Sequence, residues 1–317
     1  LFFIQGRKEM PDRRRVVIPD GMDGERADSG LARILGIPRT KVELLIEAKS
    51  VSKNRNKLVV KSDRLKAGEI IDIEFLEQGD ALTIQPSIIP DLRIIYQDED
   101  IVVVEKPAGI AAHPSLGWQG SSVLDGLAGL GISITTSGAA ERQGVVQRLD
   151  VGTSGLMVVA KSEIAYSKLK DDFRYRRVKK IYHALVQGRM DPFKGTIDAP
   201  IARHPKDDWK FAVMEGGRES VTHYDTLEAF AAASLLEIEL ETGRTHQIRV
   251  HVSALKHPCV GDITYGADPK LADFLGLERQ FLHATRLAFV HPVSRGELEF
   301  ESGYPADLAR ALDLLQA

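Results

Sequence analysis

Asp150 lies in the run Gln147-Arg148-Leu149-Asp150-Val151-Gly152-Thr153-Ser154-Gly155, directly ahead of the apolar segment Leu156-Met157-Val158-Val159-Ala160. That segment is short, apolar and carries two β-branched valines, so it reads as a buried strand with the carboxylate at its mouth. Gly152 and Gly155 free the backbone for conformations closed to other residues, and Thr153 and Ser154 offer hydroxyls to a nearby carboxylate or amide. A carboxylate so placed can act as nucleophile or base, although such a segment taken alone more often organises a turn.

Two further segments change that balance. In Lys179-Lys180-Ile181-Tyr182-His183-Ala184-Leu185-Val186 the alternation puts Ile181, His183 and Leu185 on one face of a strand and Tyr182, Ala184 and Val186 on the other. Tyr182 then projects from a well-held element. In Gly243-Arg244-Thr245-His246-Gln247-Ile248-Arg249-Val250-His251-Val252-Ser253-Ala254-Leu255, Ile248, Val252 and Leu255 fall at i, i+4 and i+7, as on the core face of a helix. His246, Arg249 and Ser253 share another face, from which the Arg249 guanidinium can be aimed at a carboxylate such as Asp150.

Together, Gln147-Arg148-Leu149-Asp150 with Thr153-Ser154-Gly155, then Lys180-Ile181-Tyr182-His183-Ala184, then Gly243 to His251 resemble, in order and spacing, the three motifs of the RluA/RluD family of RNA pseudouridine synthases. The resemblance extends upstream to Ile94–Val104, which reads as a hairpin around an acidic turn, and on through Glu105-Lys106-Pro107-Ala108-Gly109 and His113-Pro114. It covers the chain from about Pro90 to the C-terminus. What it implies is an α+β catalytic domain with a mixed, largely antiparallel sheet and flanking helices. The implied reaction is the isomerisation of specific uridines to pseudouridine in structured RNA, without a cofactor. The ribose–N1 bond breaks, the uracil turns, and it rejoins through C5.

By that resemblance Asp150 acts at the ribose as nucleophile or as base, ionised beside Arg249, while Tyr182 stacks on the uracil. Arg148 would fill the space that the extruded base leaves, since a planar guanidinium stacks well. One residue departs from the family pattern: Gln147 stands where histidine is common, and glutamine cannot carry a proton at neutral pH. His246, His251 and His257 invite a metal site, but their spacing does not put all three on one helical face and Pro258 ends the helix, so no metal is expected.

Elements that position these groups need a sizeable core, and 317 residues with 43% hydrophobic content supply one, with length for two domains. A single cysteine, Cys259, excludes an internal disulfide framework and agrees with a reducing compartment. No apolar run approaches a membrane span, so the expected location is cytoplasmic.

The net charge of −3 suits an RNA-binding protein only because it is unevenly spread. Between Arg33 and Lys66 the acidic residues are only Glu43, Glu47 and Asp63, against a long series of lysines and arginines. There Ala27–Leu35 and Lys41–Glu47 read as two short helices broken at Gly36-Ile37-Pro38, with a small strand pair to follow. This order resembles an S4-type RNA-binding domain, although Asn54-Arg55-Asn56 stands where an Asn-Gly turn is usual.

The expected organisation is a tail over 1–12, an S4-like domain over 13–76, a linker over 77–90 and a pseudouridine synthase domain over 91–317. Arg39, Lys41, Lys49 and Arg55 of the first domain, with Arg148, Arg244 and His246 of the second, are the expected RNA contacts. A second basic cluster, Lys168 to Lys180, is placed to guide RNA toward Tyr182. The combination points to large-subunit ribosomal RNA as the partner of a monomeric enzyme, with transfer RNA as the main alternative.

Overall fold

The computed structural model describes residues 13–19, 22–35, 39–54, 57–74, 84–115, 118, 120–205 and 210–316. Backbone contacts divide the chain into two units after Ala81. The first contains β1 (Arg13–Val17), α1 (Ala27–Leu35), α2 (Arg39–Glu47), β2 (Val51–Lys53), β3 (Lys57–Leu58) and β4 (Ile70–Glu74), with an antiparallel sheet ordered β1-β4-β2-β3. Alternation in β4 turns Ile71 and Ile73 into a core with Leu31, Val42, Leu45 and Val51, and leaves Ile70 outside.

α2 begins at Arg39, two residues ahead of the expected Lys41. The Arg39 guanidinium bonds the buried Asp28 carboxylate of α1 at 2.7 Å and Glu43, one turn on, at 3.2 Å, tying the first turn to its neighbour. Asn54 takes the left-handed conformation its turn requires, with φ of 49°. The Gly36-Ile37-Pro38 break and Arg55 lie outside the described residues, as does the Lys41 side chain.

The second unit opens with β5 (Arg93–Gln97), β6 (Ile101–Lys106), α3 (Val123–Gly129), β7 (Ser154–Ala160), α4 (Glu163–Arg174) and β8 (Lys179–Gln187). It continues with β9 (Lys194–Asp198), β10 (Ile201–Arg203), β11 (Phe211–Val213), β12 (Val221–Ala229) and β13 (Ala233–Leu240). Then come α5 (Gln247–Ala254), α6 (Pro269–Leu275), β14 (Leu282–Val290), β15 (Glu297–Glu301) and α7 (Ala306–Gln316).

Its main sheet is ordered β5-β6-β7-β14-β8-β13-β12-β9, with β15 also on β14. Only the β7–β14 pairing is parallel, so the sheet is mixed and largely antiparallel, as expected of the α+β class. β7 is buried along its whole length, which is why it reads as an unbroken apolar run. Its second residue, Gly155, has φ of 114°, and a Cβ there would stand 2.3 Å from the Ala284 carbonyl oxygen of β14. No other residue lets the strand leave the Asp150 loop so close to its neighbour.

The linker expected over 77–90 is corrected in its second half. Ile84 and Ile89 pack on the catalytic core, and the Gln85 and Ser87 amides donate to the Asp125 carboxylate and carbonyl at 2.6 and 3.0 Å. Apolar residues among the polar ones give that stretch something to bury, so it belongs to the second unit. Residues 75–83 lie outside the described set. Among the described residues no helix is long and apolar enough to cross a membrane.

Candidate active site

α5 is presented to the cavity by its first residue. Gln247 is buried and makes four side-chain bonds: its oxygen accepts from Thr242 Oγ1 (2.8 Å) and the Arg244 amide (3.0 Å), and its nitrogen donates to the Val221 carbonyl and Thr222 Oγ1 (both 3.0 Å). A buried amide with this many bonds fixes the helix start against β12 and the end of β13. Ile248 and Val252 enter the core as expected, whereas Leu255 is 40% exposed because the helix has ended at its C-cap.

Arg249 thereby points at two carboxylates. It donates from Nε and Nη2 to Asp262 at 2.7 and 2.9 Å, and from Nη1 to Asp150 Oδ2 at 3.2 Å. Its guanidinium carbon also lies 4.9 Å from the centre of the Tyr265 ring. Burial works against the charge, but Asp262 first and then Asp150 raise the guanidinium further above its ordinary range. Arg249 is thus a rigid, permanent cation beside Asp150, as its place on the helix suggested.

His246 caps the same helix in a left-handed conformation, φ 56°, uncommon outside glycine and asparagine and often retained where geometry is functional. The Tyr265 hydroxyl accepts the Phe211 amide proton at 3.1 Å and gives its own to His246 Nδ1 at 2.8 Å. The imidazole proton is then on Nε2, 3.9 Å from Asp150 Oδ2. Burial lowers the His246 pKa, so the ring is a neutral neighbour of the carboxylate.

Tyr182 lies on β8 between β13 and β14, opposite Ile238 and Ala284, and is 7% exposed. Burial, then the Asp150 charge, raise its hydroxyl pKa, so it is a neutral phenol. Asp150, Tyr182 and Arg249 line one cavity of about 520 Å³ with Gln147, Arg148, Arg244 and His246. Arg148 is exposed and its Nη2 bonds Thr245 Oγ1, while Arg244 donates to the Glu219 carbonyl at 3.0 Å. The buried amide nitrogen of Gln147, at the cavity wall, has no partner among the described residues. Arg39 and Lys49 belong to the other unit, where Lys49 is exposed.

Residues that the motifs did not single out hold the Asp150 loop from behind. Lys106, wholly buried, donates to the carbonyls of Pro107 (2.8 Å), Ile110 (2.9 Å) and Val151 (3.3 Å). Burial lowers its pKa to about 7, against the pull of Asp150. Arg279 donates to the Gly152 carbonyl at 3.0 Å while forked onto Asp307 of α7 at 2.7 and 3.1 Å. With Asp262, Tyr265 and Phe211 these groups lie far from Asp150 in sequence. Lys106 alone fell inside a noted motif.

The three histidines each have other partners: His251 bonds Thr222 Oγ1 and the Ala199 carbonyl, His257 the Gln187 carbonyl, and His246 Tyr265. Among the described residues, Asp98, Asp100 and His291 come close enough to share an ion. His291 Nδ1, however, accepts from the Val293 and Ser294 amides, so its proton is on Nε2 and is donated to Asp98 at 2.8 Å. No lone pair is left for a metal, and the cluster closes the β5–β6 turn.

The cavity thus pairs one accessible carboxylate with a fixed cation, a neutral phenol and a basic rim, which suits chemistry at an electrophilic carbon of a polyanion. Residues 100–254 match the family model described as RNA pseudouridylate synthase. An RNA pseudouridine synthase of Mycobacterium bovis is 57% identical over 96% of this chain and 98% of its own length. The ribosomal large subunit pseudouridine synthase D of Xanthomonas campestris is 37% identical over 96% of this chain and 92% of its own. Among solved structures, human RNA pseudouridylate synthase domain containing 1 matches with a TM-score of 0.57 and 28% identity, over 70% of this chain and 86% of that one. The chain belongs to the RNA pseudouridine synthases. Within them it falls in the RluA/RluD family, and RNA is its substrate.

Proposed function

We propose that this enzyme converts specific uridines of large-subunit ribosomal RNA to pseudouridine, with Asp150 as the residue that acts at the ribose. The observation that carries this reading is the convergence of Asp150, Tyr182, Arg249 and Arg148 on one cavity. The names of relatives more than 35% identical over most of the chain support the ribosomal substrate.

The target uridine leaves its stack, and Arg148, exposed at the rim, occupies the gap. Asp150 then attacks the sugar or removes its C2′ proton, and the glycosidic bond to N1 breaks. Arg249 preserves the negative charge of Asp150 in a closed site, and His246 Nε2–H is positioned to steady the same oxygen. The uracil, flanked by Tyr182, turns and rejoins through C5 as Asp150 is released; C5 gives up its proton, N1 takes one up, and a proton taken from C2′ is returned there. No atoms are gained or lost and no cofactor is required.

The first unit, with paired helices on a small antiparallel sheet, serves as an S4-like domain that grips phosphates and sets register through residues such as Lys49. Asp150, Tyr182 and Arg249 all come from one unit, which supports action as a monomer, and the substrate implies a cytoplasmic location. Chemical mapping of pseudouridine in ribosomal RNA from cells with and without the protein tests the reading. Specific large-subunit sites should lose the modification and regain it in vitro with purified enzyme; an unchanged map would overturn the assignment of substrate.

A further inference from the structure

Lys180 lies two residues before Tyr182 on β8, about 7 Å along the strand and on the same face. It is 7% exposed and lines the same cavity as Asp150. Its surroundings differ from those of Lys106, the other buried lysine among the described residues of this unit. Lys106 gives its protons to three carbonyls, whereas the Lys180 ammonium has no hydrogen-bond or ion-pair partner among the described residues. Its Nζ stands 5.9 Å from the centre of the Phe173 ring.

Burial, then repulsion from Arg176, lower its pKa to about 8, with Glu239 opposing them. The side chain is buried and its ammonium, with no partner among the described residues, is left to the cavity, where a charge largely withdrawn from water is best satisfied by a group that enters there. The wall beside it carries Lys170, Arg174 and Arg176, and Arg176 already engages Glu219 and Glu241, so neither carboxylate is donated to Lys180. The missing group is therefore an oxyanion brought by the occupant of the cavity. An RNA offers one such group at every nucleotide.

We propose that Lys180 binds a phosphodiester oxygen of the nucleotide seated against Tyr182, so that the catalytic cavity is electrostatically complete only in the RNA complex. The inference rests on the RNA reading above and narrows it to one contact. It separates this lysine from exposed cations such as Lys170 and Arg174, which add nonspecific attraction without fixing where the target nucleotide sits.

The test uses full-length wild type, Lys180→Met and Lys180→Arg, with a substrate RNA that the wild type modifies. Turnover by the wild type establishes the reading independently of this residue. Lys180→Met removes a charge that has no protein partner among the described residues and is largely withdrawn from water, so the free protein should keep or gain thermal stability while its RNA affinity falls roughly 10-fold or more. Its slope of log affinity against log salt should shrink by about one. RNA affinity of the wild type should also weaken as pH rises from 7 to 9, because the free ammonium loses its proton there. Lys180→Arg, charged throughout, should weaken less; since Lys170, Arg174, Arg176, Glu219, Glu239 and Glu241 are common to both proteins, the difference reports Lys180. A Lys180→Met protein with unchanged affinity and salt slope, or with lowered stability and unchanged affinity, would overturn the proposal. Failure of the wild type to modify RNA would instead remove the reading on which it rests.

Discussion

Arg39 in the first unit and Arg249 in the second each reach two carboxylates, and in each case one of the two is almost wholly buried, Asp28 and Asp262. The arrangements nevertheless serve opposite ends. Around Asp28 the carboxylate is the hub: Arg26, Arg39 and the Ser29 amide converge on it, and Arg26 first, then Arg39, hold its pKa down at about 2. Both guanidiniums are about half exposed, so water screens what they add. Around Arg249 the cation is the hub, 8% exposed, and it serves two carboxylates with one charge. Asp262 takes the two-toothed share, which leaves Asp150 held by a single bond and open to the cavity. A group meant to stay put is surrounded by partners; a group meant to react shares one.

The comparison breaks most visibly at Asp150. Asp150→Asn keeps the shape and one acceptor but removes the charge, so pseudouridine formation should fall by roughly 10²–10⁴-fold while RNA binding persists. Single-turnover assays beside equilibrium binding check both halves. Substantial residual activity would take Asp150 out of the reaction.

Asp262 is the next largest lever. Truncating a buried partner strands a buried charge, so Asp262→Ala should lower stability by about 3–5 kcal/mol in urea denaturation. It should also depress the rate at saturating RNA, because Arg249 is released to swing onto Asp150. If the rate holds while stability falls, Asp262 only supports the fold and does not set the geometry of Asp150.

A third, smaller effect sharpens the contrast with a buried base that has no charged bond at all. His283, wholly buried, joins Ser154 Oγ at 2.8 Å to Ser302 Oγ at 3.0 Å, immediately behind the Asp150 loop. Burial lowers its pKa to about 4. Between pH 6.5 and about 4 the unfolded chain takes up a proton there that the folded chain refuses. Stability therefore falls as pH falls through that window and levels off below it. The full loss is on the order of 3 kcal/mol. His283→Gln should flatten this acid limb in denaturation measured from pH 7 to pH 4, whatever its effect at pH 7.

What the sequence made legible follows from range. Asp150 with its glycines, the alternation around Tyr182 and the helical face bearing Arg249 are each local patterns, and the structure brings all three together. Asp262 and Tyr265 escaped because they act on α5 from a connecting turn with no periodicity to mark it. Arg279 and Asp307 escaped because their meeting depends on α7 folding back to the loop. The same limit bears on the charge of the first unit. Counted within Arg33–Lys66 the segment is strongly basic, yet Arg39 is bonded to Asp28 and Lys53 lies within 4 Å of Glu69, both carboxylates from outside that window. A window of sequence counts charges; only the fold says which are already spent.

The smallest effect lies within the first unit itself. Arg39→Gln should change RNA affinity less than about threefold and leave the salt slope unaltered, since its charge is committed to Asp28 and Glu43. Its cost in stability should stay below about 1 kcal/mol, because Arg26 continues to pair with Asp28. Lys49, exposed just past α2 with φ of 59°, carries no such commitment among the described residues. Lys49→Gln should reduce the salt slope by about one, uniformly across RNA sequences. Equilibrium titrations at several salt concentrations compare the two directly. Equal slopes for both variants would mean that the ion pairs of Arg39 open on binding, and that paired and free cations in this unit grip RNA alike.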